Sequence, residues 1–391
     1  MTQHFDDSIP ELTMASGPTT IYPQVLAAMS KPMMHHHDPH FTALMHGVTA
    51  KLAQVFKTSG TVLPIAGESI VGLEMAAYNL VQPGDVCINI VTGVYGAGYS
   101  RVLKAYGAQV VEVRTAYNSS VTMDMVLNVM DSNPQAKIIA MVHSETPSAS
   151  ENPIKEICTE AHRRGMLSIV DSVSGIGGSN VETDAWGIDI CVTGSQKCLS
   201  CSAGMALVSV SDKAWDAIMA CPRYDSSYLS FKPWRRKWLE HSVLPYTAPI
   251  SLVYGLDAAL DIILDAGVDE TIARHKTAAQ GMRAAVLASG LELWIDDEAH
   301  AAHSVTAIRI PQGVEDADLR STLRESYGLC ASGGLGPMDG QLVRIGHMGA
   351  TATRQRTITA FGALACALAD LGHPIDATAG LDALRRVWSE R

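Results

Sequence analysis

The chain has 391 residues, 29 Lys+Arg against 40 Asp+Glu, a formal net charge of −11 at pH 7, 47% apolar and 18% charged residues. That length carries two or three domains around a large core, and the composition excludes a disordered chain. The acidic balance argues against nucleic acid or a membrane surface as partner, no stretch approaches the roughly 20 apolar residues of a membrane span, and the opening MTQHFDDSIPELT lacks the basic start and apolar run of a secretory signal.

Residues 1–20 read as an N-terminal arm, followed by a large domain over 21–250. Leu44, Val48, Leu52, Val55 and Phe56 fall on one helical face, and a second helix opens near Ser69, runs through Val71, Leu73, Ala76 and Leu80, and ends before Pro83-Gly84. Short apolar runs follow at Val86–Val91, Gln109–Val113, Lys137–Val142, Leu167–Val170, Asp189–Thr193 and Met205–Val210, with helix patterns between them such as Pro153–Arg164, closed by Gly165. Strands that are apolar throughout, separated by helices, predict a mostly parallel sheet covered on both faces: an α/β domain. Cys221–Tyr246 is rich in aromatics, Pro and Arg, and its basic cluster Arg235-Arg236-Lys237 reads as part of a connecting loop packed against a partner subunit. Residues 251–391 then read as linking helices and a small C-terminal α+β domain. Its elements are helices Ile250–Leu264 and Val268–Ala288, strands Thr306–Ile310 and Leu342–Ile345 flanking helix Asp316–Tyr327, and a last helix from about Thr353 to Leu371.

Chemistry concentrates in Ile169-Val170-Asp171-Ser172-Val173-Ser174 and in Gly194-Ser195-Gln196-Lys197, whose lysine stands 26 positions after the aspartate. An acidic residue at the carboxyl end of a buried parallel strand sits where α/β sheets place their ligands. A lysine in a Gly/Ser turn after the next strand reaches the same crevice. This pairing suits a pyridoxal ring: the lysine forms a Schiff base, and the carboxylate keeps the pyridine nitrogen protonated so that the ring withdraws electrons.

Over nearly its whole length the chain resembles the class V, fold-type I aminotransferases, the group that contains alanine–glyoxylate and serine–glyoxylate aminotransferases. The likeness rests on Ser16-Gly17-Pro18, Gly93-Val94-Tyr95-Gly96, His143-Ser144-Glu145-Thr146, Asp171-Ser172-Val173, Gly194-Ser195-Gln196-Lys197 and Arg344-Ile345-Gly346-His347-Met348-Gly349. The resemblance implies a large domain with a mostly parallel seven-stranded sheet, a smaller C-terminal α+β domain, and a homodimer or homotetramer with shared active sites. It also implies Lys197 as the Schiff-base lysine and Asp171 as partner of the pyridine nitrogen. Val173 would lie under the ring, Tyr95 would stack on the other face and Thr146 would approach the ring hydroxyl. Arg344 would hold the substrate carboxylate in a bidentate pair.

One departure from the family pattern bears on substrate. The turn before the second helix in these enzymes usually reads Ser-Gly-Thr-Gly, small residues that let backbone N–H groups cradle a cofactor phosphate. This chain has Ala66-Gly67-Glu68-Ser69. A carboxylate near a phosphate costs on the order of 4 kcal/mol per unit-charge pair at 4 Å and an effective dielectric of 20. Glu68 is suited instead to a neutral hydroxymethyl group, or it serves only the positive end of the helix dipole. Apolar Leu244, near the place of a phosphate-binding tyrosine in relatives, points the same way. The implied reaction moves the amino group of unphosphorylated pyridoxamine to a small 2-oxo acid, pyruvate, giving pyridoxal and L-alanine in vitamin B6 degradation. No tightly bound cofactor is then expected, the ring being substrate. The alternative is a pyridoxal-phosphate-dependent alanine/serine–glyoxylate-type aminotransferase. Class members that use pyridoxamine carry an extra arginine in the glycine-rich stretch, whereas this chain reads Ser332-Gly333-Gly334-Leu335-Gly336.

Other segments read as structural. His35-His36-His37-Asp38-Pro39-His40 lacks the helical spacing of metal ligands, so no metal site is expected. Cys198-Leu199-Ser200-Cys201 has CxxC spacing without a redox context, and the eight cysteines read as reduced thiols of a cytoplasmic protein. Gly333–Gly340 reads as a mobile loop over the pocket.

Overall fold

A computed structural model describes residues 12–223, 225 and 227–390, so residues 1–11 of the expected arm lie outside the described residues. In chain order the first part comprises β1 (Leu12–Thr13), α1 (Pro23–Met29), α2 (Pro39–Val55), β2 (Thr61–Ala66), α3 (Ser69–Leu80), β3 (Val86–Val91), α4 (Val94–Ala105), β4 (Gln109–Arg114), α5 (Met123–Ser132) and β5 (Ile138–Val142). The short strands β6 (Ser144–Glu145) and β7 (Ser150–Glu151) precede α6 (Ile154–Arg163), β8 (Leu167–Asp171), β9 (Ile190–Gly194), β10 (Met205–Val210) and α7 (Asp212–Ala220). The seven-stranded sheet has the order β2-β10-β9-β8-β5-β3-β4. Strands β9, β8, β5, β3 and β4 run parallel, and β10 is antiparallel to both β9 and β2. This is the α/β architecture expected, and β5 and β10 are buried at every residue, as a sheet covered on both faces requires.

Strand β2 was absent from the apolar runs because Pro64 interrupts it. The structure places β2 at the sheet edge, where a proline's missing N–H costs no ladder bond, with Pro64 opposite Leu207. The carboxyl ends of β2, β3, β5, β8 and β9 all open on one side of the sheet, because β10 reverses direction between β9 and β2. That shared edge positions the site.

Helices α8 (Ile250–Ala266) and α9 (Val268–Ala288) lead to a second unit of β11 (Val305–Arg309), α10 (Asp316–Tyr327), β12 (Leu329–Cys330), β13 (Ser332–Gly333), β14 (Leu342–Gly346), α11 (Arg354–Asp370) and α12 (Ala377–Ser389). Its core gathers Met282, Val286, Ile308, Leu319, Leu323, Val343, Ile345, Phe361 and Leu364, and it takes in Leu12 and Met14 because β1 pairs with β12. Helix α12 corrects the expectation that α11 is last. Only Gly380, Ala383 and Leu384 of α12 are buried, too narrow a stripe to show in the sequence. It docks by glycine: a Cβ on Gly380 would lie 2.2 Å from Phe361 Cζ.

One further expectation changes. Trp234–Leu239 is a π-helical turn rather than loop, with Trp234 and Trp238 buried, Arg235 over the Trp215 ring, and Arg236 and Lys237 exposed. Residues 334–341 form the loop between β13 and β14, with a 3-10 turn at Gly336–Met338, and Gly336 lies beside the cavity residue Val94. Among the described residues no helix is long and apolar enough to cross a membrane.

Candidate active site

Where the strand ends converge lies a cavity of about 770 Å³, walled by Glu68, Ser69, Tyr95, Ser144, Asp171, Val173, Gln196 and Lys197. Five of the seven residues singled out in the sequence line it. Thr146 and Arg344 do not; both are buried beside it and joined to each other.

Asp171 is the last residue of β8, and its Oδ1 accepts the Val173 N–H at 3.0 Å. Burial pushes its carboxyl up to about 6, against the pull of that N–H and of the Lys197 charge. Lys197 follows β9 by three residues, and its Nζ donates to Ser16 O at 2.6 Å. Burial lowers the lysine's pKa, and the positive charge of Arg344 lowers it further. The lysine's path explains Gly17: a Cβ there would lie 2.5 Å from Nζ, and φ is +101°, a region side chains avoid. An amine with lowered pKa beside a carboxyl poised near neutrality can serve as nucleophile or proton carrier.

Glu68 follows β2 and is the N-cap of α3. Its Oε2 accepts the Ile70 N–H at 3.0 Å, and its Oε1 accepts from Gln196 Nε2, also at 3.0 Å. The anion-binding end of α3 is therefore occupied by the chain's own carboxylate. Gln196 is buried, and its Oε1 has no hydrogen-bond partner among the described residues. Leu244 is buried in the main core.

Tyr95, the second residue of α4, is 42% exposed and lines the cavity together with Val173 and Lys197. Its N–H donates to Glu145 Oε1 at 2.9 Å. Arg344, on β14, donates from Nε to Gly333 O at 2.7 Å and from Nη1 to Thr146 O at 3.2 Å. These two bonds fix the guanidinium plane.

The sequence reading missed Glu145 and Gln196 as individual residues, although both stand inside motifs it quoted. The available signal was charge: Glu145 is an acidic residue in an otherwise uncharged strand-end segment with no cation nearby in sequence. Cys198 and Cys201 are buried, and burial pushes their thiols up to about 12 and about 11, the state of inert packing thiols. In the histidine tract Asp38 caps α2 by accepting the His40 N–H at 2.8 Å. Among the described residues no three His, Cys, Asp or Glu are placed to hold a metal.

Comparison with known proteins gives the family. The chain is 34% identical over 384 residues to the pyridoxamine–pyruvate transaminase of Mesorhizobium japonicum, covering 98% of each. The crystal structure of pyridoxamine–pyruvate aminotransferase from Mesorhizobium loti superposes with a TM-score of 0.95 at 34% identity, over 98% of both chains. The ureidoglycine–glyoxylate aminotransferase of Bacillus subtilis gives a TM-score of 0.92 at 28% identity, covering 96% of this chain and 97% of that one. The profile described as "Aminotransferase class-V" matches residues 14–346. With the lysine and the strand-end aspartate in the wall of one cavity and the buried arginine beside it, the chain belongs to the class V aminotransferase family.

Proposed function

We propose that this aminotransferase takes unphosphorylated pyridoxamine as amino donor and a small 2-oxo acid, pyruvate, as acceptor, releasing pyridoxal and L-alanine. The observation that carries the reading is Glu68, a pocket-wall carboxylate held by Ile70 N–H and Gln196 at the helix end where a phosphate would bind. A ring ending in a hydroxymethyl group offers that carboxylate an O–H donor, whereas a phosphate brings like charge. The names of the two Mesorhizobium relatives support the same substrates.

The cavity wall suits a pyridine ring: Tyr95 and Val173 would take its faces and Asp171 its nitrogen, with Lys197 in the same wall, and Thr146, buried beside that wall, would approach its hydroxyl. When bound, such a ring supplies an electron sink for the carbon that gains or loses a proton. Asp171 is held near neutrality by burial, and a cationic ring nitrogen favours its ionised form, so it keeps a proton at that nitrogen. Lys197, its amine favoured in the neutral form, accepts and returns the migrating proton. Arg344 binds the acid's carboxylate, its plane set by the Gly333 and Thr146 carbonyls. Leu335 stands in the glycine-rich stretch where class members that use pyridoxamine carry an extra arginine, so weaker binding of pyruvate is expected here. The proposal includes a homodimer or homotetramer, which would cover Ile70 and Tyr95, now 59% and 42% exposed at the cavity.

The second reading is a pyridoxal-phosphate-dependent glyoxylate-type aminotransferase. In its favour, Glu68 caps α3 as a purely structural carboxylate would. The deciding assay supplies the purified protein with pyridoxamine and pyruvate and follows both products. Equal amounts of pyridoxal and alanine, formed without added pyridoxal phosphate, support the proposal. Transfer that requires pyridoxal phosphate supports the second reading.

A further inference from the structure

We infer that Glu145 is a positioning residue that sets both the aromatic wall and the carboxylate clamp of the pocket. Its side chain is fully buried, and its two oxygens accept the first N–H groups of α4, Oε1 from Tyr95 at 2.9 Å and Oε2 from Gly96 at 3.1 Å. A helix start is ordinarily satisfied by a Ser, Thr, Asp or Asn at its own N-cap. Here the N-cap is Gly93, which offers no side chain, and a Cβ on it would lie 2.2 Å from Glu145 Cγ. The cap is therefore supplied from a different segment, the one that follows β5. A local cap would satisfy the same N–H groups without tying α4 to that segment.

The adjoining residue completes the link. Thr146 accepts from Arg344 Nη1 through its carbonyl at 3.2 Å. Ser148 donates to the Glu145 carbonyl from both its N–H and its hydroxyl, each at 3.2 Å, which pins the turn. One dipeptide thus grips Tyr95 by its backbone N–H and Arg344 by its guanidinium. Burial pushes the Glu145 carboxyl up to about 7, while the N–H groups of Tyr95 and Gly96 and the Arg344 charge oppose that rise and Asp171 adds to it. The acid is retained in the core at an electrostatic cost, as expected for a group kept for its geometry.

The inference rests on the proposed placement of a ring against Tyr95, and its test separates the two. In the intact protein, amide hydrogen exchange at Tyr95 and Gly96 should be slow, and Glu145→Gln, which keeps the shape but loses one acceptor, should speed it. Fast exchange at both amides in the unaltered protein overturns the inference whatever the substrate. Affinity is then measured for pyridoxine, which carries no amine or aldehyde to react with Lys197, and for its phosphate ester. Glu145→Gln should weaken whichever ligand binds by about tenfold and raise KM for the 2-oxo acid, with kcat changed less than about threefold. A variant that melts earlier but binds both ligands as before shows a merely structural cap and overturns the inference. If the phosphate ester binds better than pyridoxine, the proposed substrate fails, while a loss of its binding in Glu145→Gln still supports the role of Glu145.

Discussion

Replacing Glu68 by glycine should invert the preference of the pocket between phosphorylated and unphosphorylated rings. The substitution removes two bonds, to Ile70 N–H and Gln196 Nε2, and one negative charge at the head of α3. Glycine is itself an acceptable N-cap, so the helix should lose only a few tenths of a kcal/mol. For a phosphate the relief is larger. A unit-charge pair at 4 Å is worth about 4 kcal/mol at an effective dielectric of 20. Solvent at this exposed side chain screens much of that, leaving a gain in affinity of at least about tenfold, or about 1.4 kcal/mol. The unphosphorylated ring should lose a hydrogen bond to a charged acceptor, about 1.5–3 kcal/mol. The ratio of dissociation constants for pyridoxal and pyridoxal phosphate should therefore shift by roughly a hundredfold or more. Equilibrium titration of each ring by absorbance, on the original protein and Glu68→Gly, reads it directly. A ratio unchanged within about threefold would refute the reasoning and leave Glu68 a helix cap.

Lys197→Ala should still bind the ring non-covalently but lose turnover by at least about a thousandfold, since the proton carrier and nucleophile are the same amine; stopped-flow product formation checks this, and near-normal turnover would remove Lys197 from the mechanism. Arg344→Lys should raise KM for the 2-oxo acid by about ten- to a hundredfold, because lysine cannot reproduce the two-point geometry or reach both carbonyls; steady-state kinetics at varied acid concentration reads it. Asp171→Asn should alter how stability depends on pH. The folded pKa of about 6 lies above the unfolded value of 3.8, so the contribution of this group is fully present below about pH 4 and is lost as pH rises through about 6. The unfolding midpoint of the ligand-free variant should accordingly fall less between pH 4 and 7 than that of the original protein, and an identical slope would contradict the burial argument.

Much of the fold was legible because it follows from hydrophobic pattern. The expected bounds of Val86–Val91, Met205–Val210, Val268–Ala288 and Asp316–Tyr327 coincide with β3, β10, α9 and α10. What escaped has weak local signals. Pro64 hides an edge strand, α12 buries only three residues, and the π-helical turn at Trp234 depends on where two tryptophans pack. The site divides the same way. Asp171 and Lys197 could be read together because a strand end and the turn after the next strand are neighbours by topology. That Thr146 and Arg344 stand behind the wall, and that Glu145 reaches across to the start of α4, are tertiary facts. They come from one backbone carbonyl and one missing side chain at Gly93, neither of which has a pattern of its own.

A side-by-side titration of the purified protein with pyridoxal and with pyridoxal phosphate, followed by addition of L-alanine, tests the substrate most directly. Pyridoxal should bind at Lys197, alanine should convert it to free pyridoxamine with formation of pyruvate, and the phosphate ester should bind poorly. A protein that purifies already loaded with pyridoxal phosphate, or that binds the ester more tightly than pyridoxal, would contradict the proposed substrate.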